Sequence, residues 1–406
     1  MSNTDLAREN MPALAHIRQE FSKSLPFKDL KIGMALHVTK ETAILVETLV
    51  AGGAQVAITG CNPLSTQNDV AAEMATWPNV KIWAKYGQTK EEYYQAIENV
   101  LDTNPDLVID DGCDLIFTLH TNPKYAQLLN SIIGGAEETT TGVVRVQAMA
   151  KDNALKFPVV AVNDNQTKHL MDNYYGTGQS TVDAILRASN TLLAGKTVVI
   201  AGYGSCGKGV AIRASGMGAK IVVTEVDQVR ALQAHMDGYK VAKMGDVLTE
   251  GDIFITVTGC KDVLTVEQIQ KMKSGAILAN SGHFNVEIQV DEMYESATKN
   301  TEIRPNFRKF EFKNGTHVYL VGEGRLANLV AAEGHPSEVM DLSFCGQAFA
   351  LKFLVENRGN LKSQVYTLPA EVDQEIAKLK LATLGIKIDE LSSDQLSYVS
   401  DWQSGT

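Results

Sequence analysis

Eight short runs of Val, Ile, Leu and Ala, each followed by a segment long enough for a helix, constrain this chain more than any other feature. They are KIGMAL (Lys31 to Leu36), AQVAIT (Ala54 to Thr59), DLVIDD (Asp106 to Asp111), PVVAVND (Pro158 to Asp164), TVVIAG (Thr197 to Gly202), KIVVTE (Lys220 to Glu225), DIFITV (Asp252 to Val257) and GAILAN (Gly275 to Asn280). A strand with one wet face alternates apolar and polar residues. A near-continuous apolar run is covered on both faces, which indicates a parallel sheet between helices. Glu41 to Val50 is apolar at helical spacing and passes through Gly52 and Gly53 into the next run, as a βαβ unit requires. One β/α block fills roughly the first 170 residues, and a second runs from Ala194 to about residue 325. Thr167 to Asn190 reads as a helical connector between them, through YYGTGQS. After Pro336 the pattern is helical again to Asn357, then Leu368-Pro369 opens a polar, helix-prone end.

Length agrees with this division, since 406 residues make two or three domains at about 100–200 residues each. A chain 44% hydrophobic and 21% charged is not disordered as a whole. Its 37 Lys and Arg against 48 Asp and Glu give a net charge of -11, which argues against a broad nucleic-acid surface. The five cysteines are scattered and include no C-x-x-C, so neither a disulfide framework nor a zinc site is expected, and a reducing compartment is. The eight histidines show no metal-ligand spacing such as H-E-x-x-H, so no metal is expected. MSNTDLARENMPALAHIRQEF carries early acids and no long apolar run, and so is not a secretory signal. No stretch approaches the roughly 18 apolar residues of a membrane span. The expectation is a cytoplasmic α/β protein with no nucleic-acid or membrane partner.

Within VVIAGYGSCGKGV, Gly202, Gly204 and Gly207 form G-x-G-x-x-G between a strand and a helix. The first glycine permits a tight turn, the second lets backbone approach a pyrophosphate, and the third lets helix and strand pack closely. The next strand ends at Glu225, 18 residues after Gly207. A carboxylate there takes both ribose hydroxyls and repels a 2′-phosphate, which favours NAD over NADP. The bland reading is a glycine-rich turn with no cofactor. Both blocks are expected to be Rossmann-like doubly wound parallel sheets.

Other polar groups cluster at the ends of the apolar runs, where open α/β sheets bind ligands. Taken singly they have plain explanations. Lys168 and Asp172, four apart on a helix face, read as a surface ion pair. His37 reads as a structural histidine, Asp110 and Asp111 as a solvated strand end, and Glu137 to Gly142 as a helix cap with threonines. The residues alone lead to an NAD enzyme acting on a small polar substrate.

Together, LHVTKETAILVETLVAGGA, CNPLSTQ, DDG, EETTTG, VNDNQTKHLMDNYYG, AGYGSCGKG, TEVD, SGHF, EGRLANL and GHPSEVM resemble the S-adenosylhomocysteine hydrolase family, in the family's order, from Met11 to near the end. The resemblance implies an NAD domain (173–333) inserted into a substrate domain (1–172 and 334–367), a C-terminal tail (368–406), and a homotetramer with one tightly bound NAD per subunit. It implies reversible hydrolysis of S-adenosyl-L-homocysteine to adenosine and L-homocysteine. The steps are oxidation at ribose C3′, loss of the C4′ proton, elimination of homocysteine from C5′, water addition and re-reduction. Lys168 and Asp172 then match the pair at the 3′-hydroxyl, and Glu138 the carboxylate on the ribose hydroxyls. Asp111 and His37 match groups near C4′ and C5′, and His283 the homocysteine side. Thr39, Glu41, Gln67, His335, Met340 and Phe344 match the purine and substrate pocket. Thr139, Thr140, Thr141, Asn173, Gly202, Gly204, Ser205, Cys206, Gly207, Glu225, Arg230, Ser281, Gly282, His283 and Asn328 match NAD contacts. Glu41 and Gln67 favour adenine, because hypoxanthine would set an oxygen against a buried acceptor.

Some positions depart from the family's commoner pattern. No Lys or Arg follows Lys387, and the chain ends Asp401-Trp402-Gln403-Ser404-Gly405-Thr406, like the family's shorter branch without the tail Lys and Tyr. Arg230 replaces an asparagine, Thr177 a cysteine, and Glu333 an apolar residue. Glu333 keeps S-inosyl-L-homocysteine open as the substrate. Two competing readings are an NAD-dependent 2-hydroxy-acid dehydrogenase and a non-catalytic NAD-bound homologue. Hinge closure is expected, with pivots near Asn173 to Gly178 and Gly334 to Ser337.

Overall fold

In the computed structural model, which describes residues 2–403, the apolar runs form two separate sheets. The first sheet takes β1 (Lys31–Ala35), β2 (Gln55–Thr59), β3 (Val80–Ile82), β4 (Leu107–Asp110), β5 (Gly134–Glu137) and β6 (Val159–Ala161). The second takes β7 (Thr197–Ala201), β8 (Lys220–Thr224), β9 (Lys240–Val241), β10 (Ile253–Thr256), β11 (Ala276–Asn280), β12 (Lys299–Arg304), β13 (Phe307–Glu311) and β14 (His317–Val321). The chain then returns, and β15 (Val365–Tyr366) joins the first sheet beside β6, with Val365 opposite Val159.

The first sheet is parallel throughout, in the order β15-β6-β5-β4-β1-β2-β3. Its centre is Met34, paired with Ile58 on one side and Ile109 on the other. The second sheet runs β12-β13-β14-β11-β10-β7-β8-β9. Six of its strands, β14, β11, β10, β7, β8 and β9, form a doubly wound parallel sheet, of which β7, β8, β10 and β11 were read from the sequence. An antiparallel edge, β12 and β13, is added to it. That edge lacks the Val/Ile signature because every residue of β12 is exposed.

The helix Ser337–Glu356 explains the return. Phe344, Cys345, Ala348, Leu351 and Leu354 are buried in the first sheet's core, among Ile17 and Phe21 of the helix Pro12–Ser24. At about 1.5–3 kcal/mol for each fully buried Leu or Phe, this helix is integral to the first unit. Asp341 ties the same parts with polar bonds, accepting from the amides of Ala13 and Leu14 and from Lys380 Nζ.

The connector is a helix at Gln166–His169, a wide π-type turn at Asp172–Gly176 and a helix at Thr177–Ser189. It crosses the helix Ser205–Gly216 at glycines. A Cβ on Gly178 would lie 2.5 Å from the Gly209 carbonyl oxygen, and one on Gly209 would lie 2.0 Å from that of Tyr174. Among the described residues no helix is long and apolar enough to cross a membrane.

Candidate active site

Each sheet has a point where the strand order reverses and the loops diverge, leaving a crevice at the carboxyl ends. In the first sheet it lies between β1 and β4, which lead to His37 and Asp111; in the second, between β7 and β10, which lead to the glycine turn and Thr258. Both open into one cavity of about 1520 Å³.

A first cluster centres on Lys168, from the short helix after β6. Its ammonium lies 3.1 Å from Asp172 Oδ2 and 3.8 Å from Glu138 Oε1, and donates to Asn173 Oδ1 at 2.8 Å. All four side chains are buried, so the surface ion pair expected from spacing alone is instead an interior one. Burial works against the Lys168 charge, but Asp172 and Glu138 outweigh it and hold the ammonium above its ordinary range. Burial likewise works against the Asp172 charge, but Lys168 and His335 hold that carboxyl below the usual range. Burial raises Glu138 to about 7, against the pull of Lys168 and with the push of Asp172. Glu138 also accepts bonds from Ser343 and from Gln347 Nε2, both on the helix Ser337–Glu356. His335 Nδ1 lies 2.5 Å from Asp172 Oδ1, with its Nε2 3.3 Å from Thr177 Oγ1. A carboxylate from the tail positions the lysine's helix: Asp373 accepts from the amides of Gln166 and Thr167 at 2.8 and 3.0 Å and from the Thr167 hydroxyl at 2.5 Å.

A second cluster centres on Asp111. His37 Nε2 lies 3.4 Å from its Oδ2, Cys61 Sγ 3.6 Å from the same oxygen, and His283 Nδ1 3.6 Å from its Oδ1. Burial lowers His37 to about 4, keeping it a neutral imidazole near pH 7. The solvated strand end expected for Asp110 and Asp111 is corrected here, since Asp110 is fully buried and Asp111 is 7% exposed. Asp110 accepts from the amides of Asp111 and Ile116, and Glu137 from those of Gly112 and Thr139. Burial raises both carboxyls, Asp110 to about 8, so they act as braces for the loop. Gly112, at φ +103°, leaves room for the His283 ring, whose Nε2 would lie 2.3 Å from a Cβ there.

The second sheet contributes the dinucleotide cradle. Gly202 has φ +103°, and a Cβ on Gly207 would strike the Gly202 carbonyl oxygen at 2.1 Å. Gly207 is therefore a packing residue and does not line the cavity, whereas Gly202, Gly204, Ser205 and Cys206 do. Glu225 is fixed by the amides of Tyr203, Val226 and Asp227, with Arg230 also facing the cavity. Thr139, Thr140, Thr141, Asn173, Ser281 and Gly282 complete this wall. Asn328 donates to Ser180 Oγ, but its own buried Oδ1 has no partner among the described residues. A glycine cradle at a helix start, a fixed carboxylate one strand away and a buried unpaired acceptor together fit a nicotinamide adenine dinucleotide.

Two family models match the sequence: "S-adenosyl-L-homocysteine hydrolase" over residues 1–124 and "S-adenosyl-L-homocysteine hydrolase, NAD binding domain" over residues 173–334. The S-inosyl-L-homocysteine hydrolase of Methanocaldococcus jannaschii is 56% identical over 400 residues, covering 98% of this chain and 95% of the relative. The adenosylhomocysteinase of Aquifex aeolicus is 52% identical over 406 residues, covering 100% and 97%. The chain belongs to the S-adenosyl-L-homocysteine hydrolase family. It is an enzyme of that family, and its cofactor is NAD. A dipicolinate synthase chain from Bacillus halodurans, with a TM-score of 0.50, 12% identity and coverage of 81% of this chain and 99% of that one, shares the fold alone.

Of the substrate-pocket residues that the hydrolase resemblance implied, Thr39, Glu41, His335, Met340 and Phe344 line the cavity. Gln67 does not; its Oε1 accepts from the Lys40 amide at the start of the helix Lys40–Ala51. Glu333 also lies outside the lining, 3.2 Å from Lys40 Nζ and 3.4 Å from Arg187 Nη1. Sequence reading missed Cys61; Ser65, which lies 2.7 Å from His37 Nδ1; Asn163, whose Oδ1 accepts from Lys168 Nζ and Asn173 Nδ2; and Ser343, Gln347 and Asp373. CNPLSTQ held the first two but offered no reason to single them out.

Proposed function

We propose that this chain hydrolyses S-adenosyl-L-homocysteine to adenosine and L-homocysteine, reversibly, with one NAD held tightly per subunit. The observation that carries the reading is the meeting of two buried proton-transfer clusters, around Lys168 and around Asp111, with a dinucleotide cradle in one cavity. Bound NAD supplies hydride abstraction and return at ribose C3′. Glu138, braced by Ser343 and Gln347, accepts bonds from the ribose hydroxyls. Lys168 handles the proton of the 3′-oxygen, with Asp172 and His335 as the route by which that proton leaves and returns. Asp111 takes the C4′ proton. His37 and His283, on either side of it, exchange protons with the leaving sulfur and the attacking water at C5′.

Glu41 supports adenine as the base. It is buried and oriented by the Ser337 hydroxyl at 2.6 Å, leaving a carboxylate oxygen to accept from an exocyclic amine. The second reading, S-inosyl-L-homocysteine by the same steps, is favoured by the relatives' order, since four bearing that name are 53–56% identical. Comparing kcat/KM on the two thioethers tests the choice. A preference for the adenosyl compound is expected, and a clear preference for the inosyl compound overturns it.

The division 1–172, 173–333, 334–367 and 368–406 belongs to the same proposal, supported by the pairing of β15 with β6. So does the homotetramer, supported by exposed Leu396, Val399 and Trp402 near the end of the tail. A cytoplasmic location is supported by the five free cysteines.

A further inference from the structure

We propose that His37, Cys61 and Asp111 form a binding site for Zn2+, and that the metal and the substrate exclude one another. Loops after three different strands, β1, β2 and β4, deliver the three side chains. No linear spacing could therefore announce the site, and the sequence expectation of no metal rested on spacing alone.

Two of the three ligand-to-ligand distances are those of a tetrahedral metal face. Zinc bonds of about 2.0–2.1 Å to nitrogen and oxygen and about 2.3 Å to sulfur put neighbouring ligand atoms roughly 3.3–3.6 Å apart. His37 Nε2 and Cys61 Sγ lie 3.4 and 3.6 Å from Asp111 Oδ2, and one ligand atom from each of the three residues falls within 4.8 Å of the others. His37 is also oriented for the task. Its Nδ1 is 2.7 Å from Ser65 Oγ, and that hydroxyl donates to the Asn62 carbonyl. Ser65 therefore accepts the Nδ1 proton and leaves the Nε2 lone pair facing Asp111, an arrangement that commonly supports metal-bound histidines. His37 and Asp111 line the cavity, which gives the ion an entry path and leaves its fourth position to solvent. On binding, the Cys61 thiol gives its proton to water and the thiolate and carboxylate balance the two charges of the ion. The bound metal then removes His37 and Asp111 from proton transfer. That inhibition, though not the binding itself, rests on the roles proposed above.

The test uses chelator-treated holoenzyme, titrated with Co2+ and separately with Zn2+. One Co2+ per chain is expected, with a thiolate-to-cobalt charge-transfer band in the near ultraviolet that Zn2+ removes. Cys61→Ser should abolish the band and weaken Zn2+ binding by about 100-fold or more, whereas Ser65→Ala, which keeps all three ligands, should weaken it by about 10–100-fold. Saturating adenosine should raise the apparent Kd for Zn2+. A wild-type cobalt complex without the band, or a band unchanged in Cys61→Ser, overturns the site. Zn2+ affinity indifferent to adenosine, in protein shown to bind adenosine, overturns the exclusion. None of these readouts uses turnover, so failure of the thioether assay and failure of the metal site are separately visible.

Discussion

Replacing Asp172 with Asn tests whether the Lys168 charge is maintained by its neighbours. The two are 3.1 Å apart, which at an effective dielectric near 20 corresponds to roughly 5 kcal/mol of attraction. Glu138, at 3.8 Å, would remain, so part of the support survives. Breaking a buried pair from one side costs about 3–5 kcal/mol. In the wild type Lys168 is raised, so its contribution is whole below its unfolded value near 10.4 and is lost as pH rises through the folded value. Asp172 is depressed, so its contribution is whole above about 3.9 and is lost as pH falls through the folded value. The pair therefore contributes evenly between about pH 5 and 9. In Asp172→Asn, Glu138 opposes the burial without Asp172, and Lys168 is expected to fall below its unfolded value. The unfolded chain then binds more protons between the two values, and the variant gains stability as pH rises through them. Denaturant titrations at several pH values, with NAD fixed at saturation, should show a deficit of about 3–5 kcal/mol near neutrality that narrows toward pH 10. Mixing with adenosine should show the rise of reduced-nicotinamide absorbance slowed by about 10²–10⁴. A deficit under about 1 kcal/mol that does not change with pH would mean the pair behaves as a surface pair, and would refute the argument.

Asp111→Asn is expected to leave that absorbance change largely intact and to slow release of homocysteine by about 10²–10⁴; the reverse pattern would exchange the roles given to the two clusters. Gly209→Ala is expected to destabilise the protein by about 1–3 kcal/mol or more, because the new methyl would meet the Tyr174 carbonyl at 2.0 Å; a melting temperature within a degree of wild type would count against this account of the crossing.

Eight strands with near-continuous apolar runs were legible because burial on both faces writes itself into composition, whereas β3 and β14, shorter or interrupted by Lys and Tyr, were not read. Nor was β5, because its GGAE run carries no Val or Ile. Its glycines serve contact instead: a Cβ on Gly134 would lie 2.6 Å from Leu354 Cδ2, on a helix more than two hundred residues later in the chain. The same distance in sequence hid the burial of Lys168 and Asp172. Their spacing was visible, but the groups that decide their chemistry arrive from elsewhere: Glu138, itself held by Ser343 and Gln347 of a distant helix, and His335 from the segment before that helix. Gln67 shows the converse, a motif position whose side chain turns to the backbone of a neighbouring helix.

Asp373 gives the far end of the chain a stake in the chemistry. It sits on the helix Ala370–Thr383, yet it grips the first turn of the short helix that presents Lys168. Residues 370–383 are therefore no detachable appendage. Trimming them would strip Ile376 from the first sheet's core and Lys380 from Asp341 as well as free the helix that carries Lys168, so a shortened enzyme is expected to lose stability and turnover together.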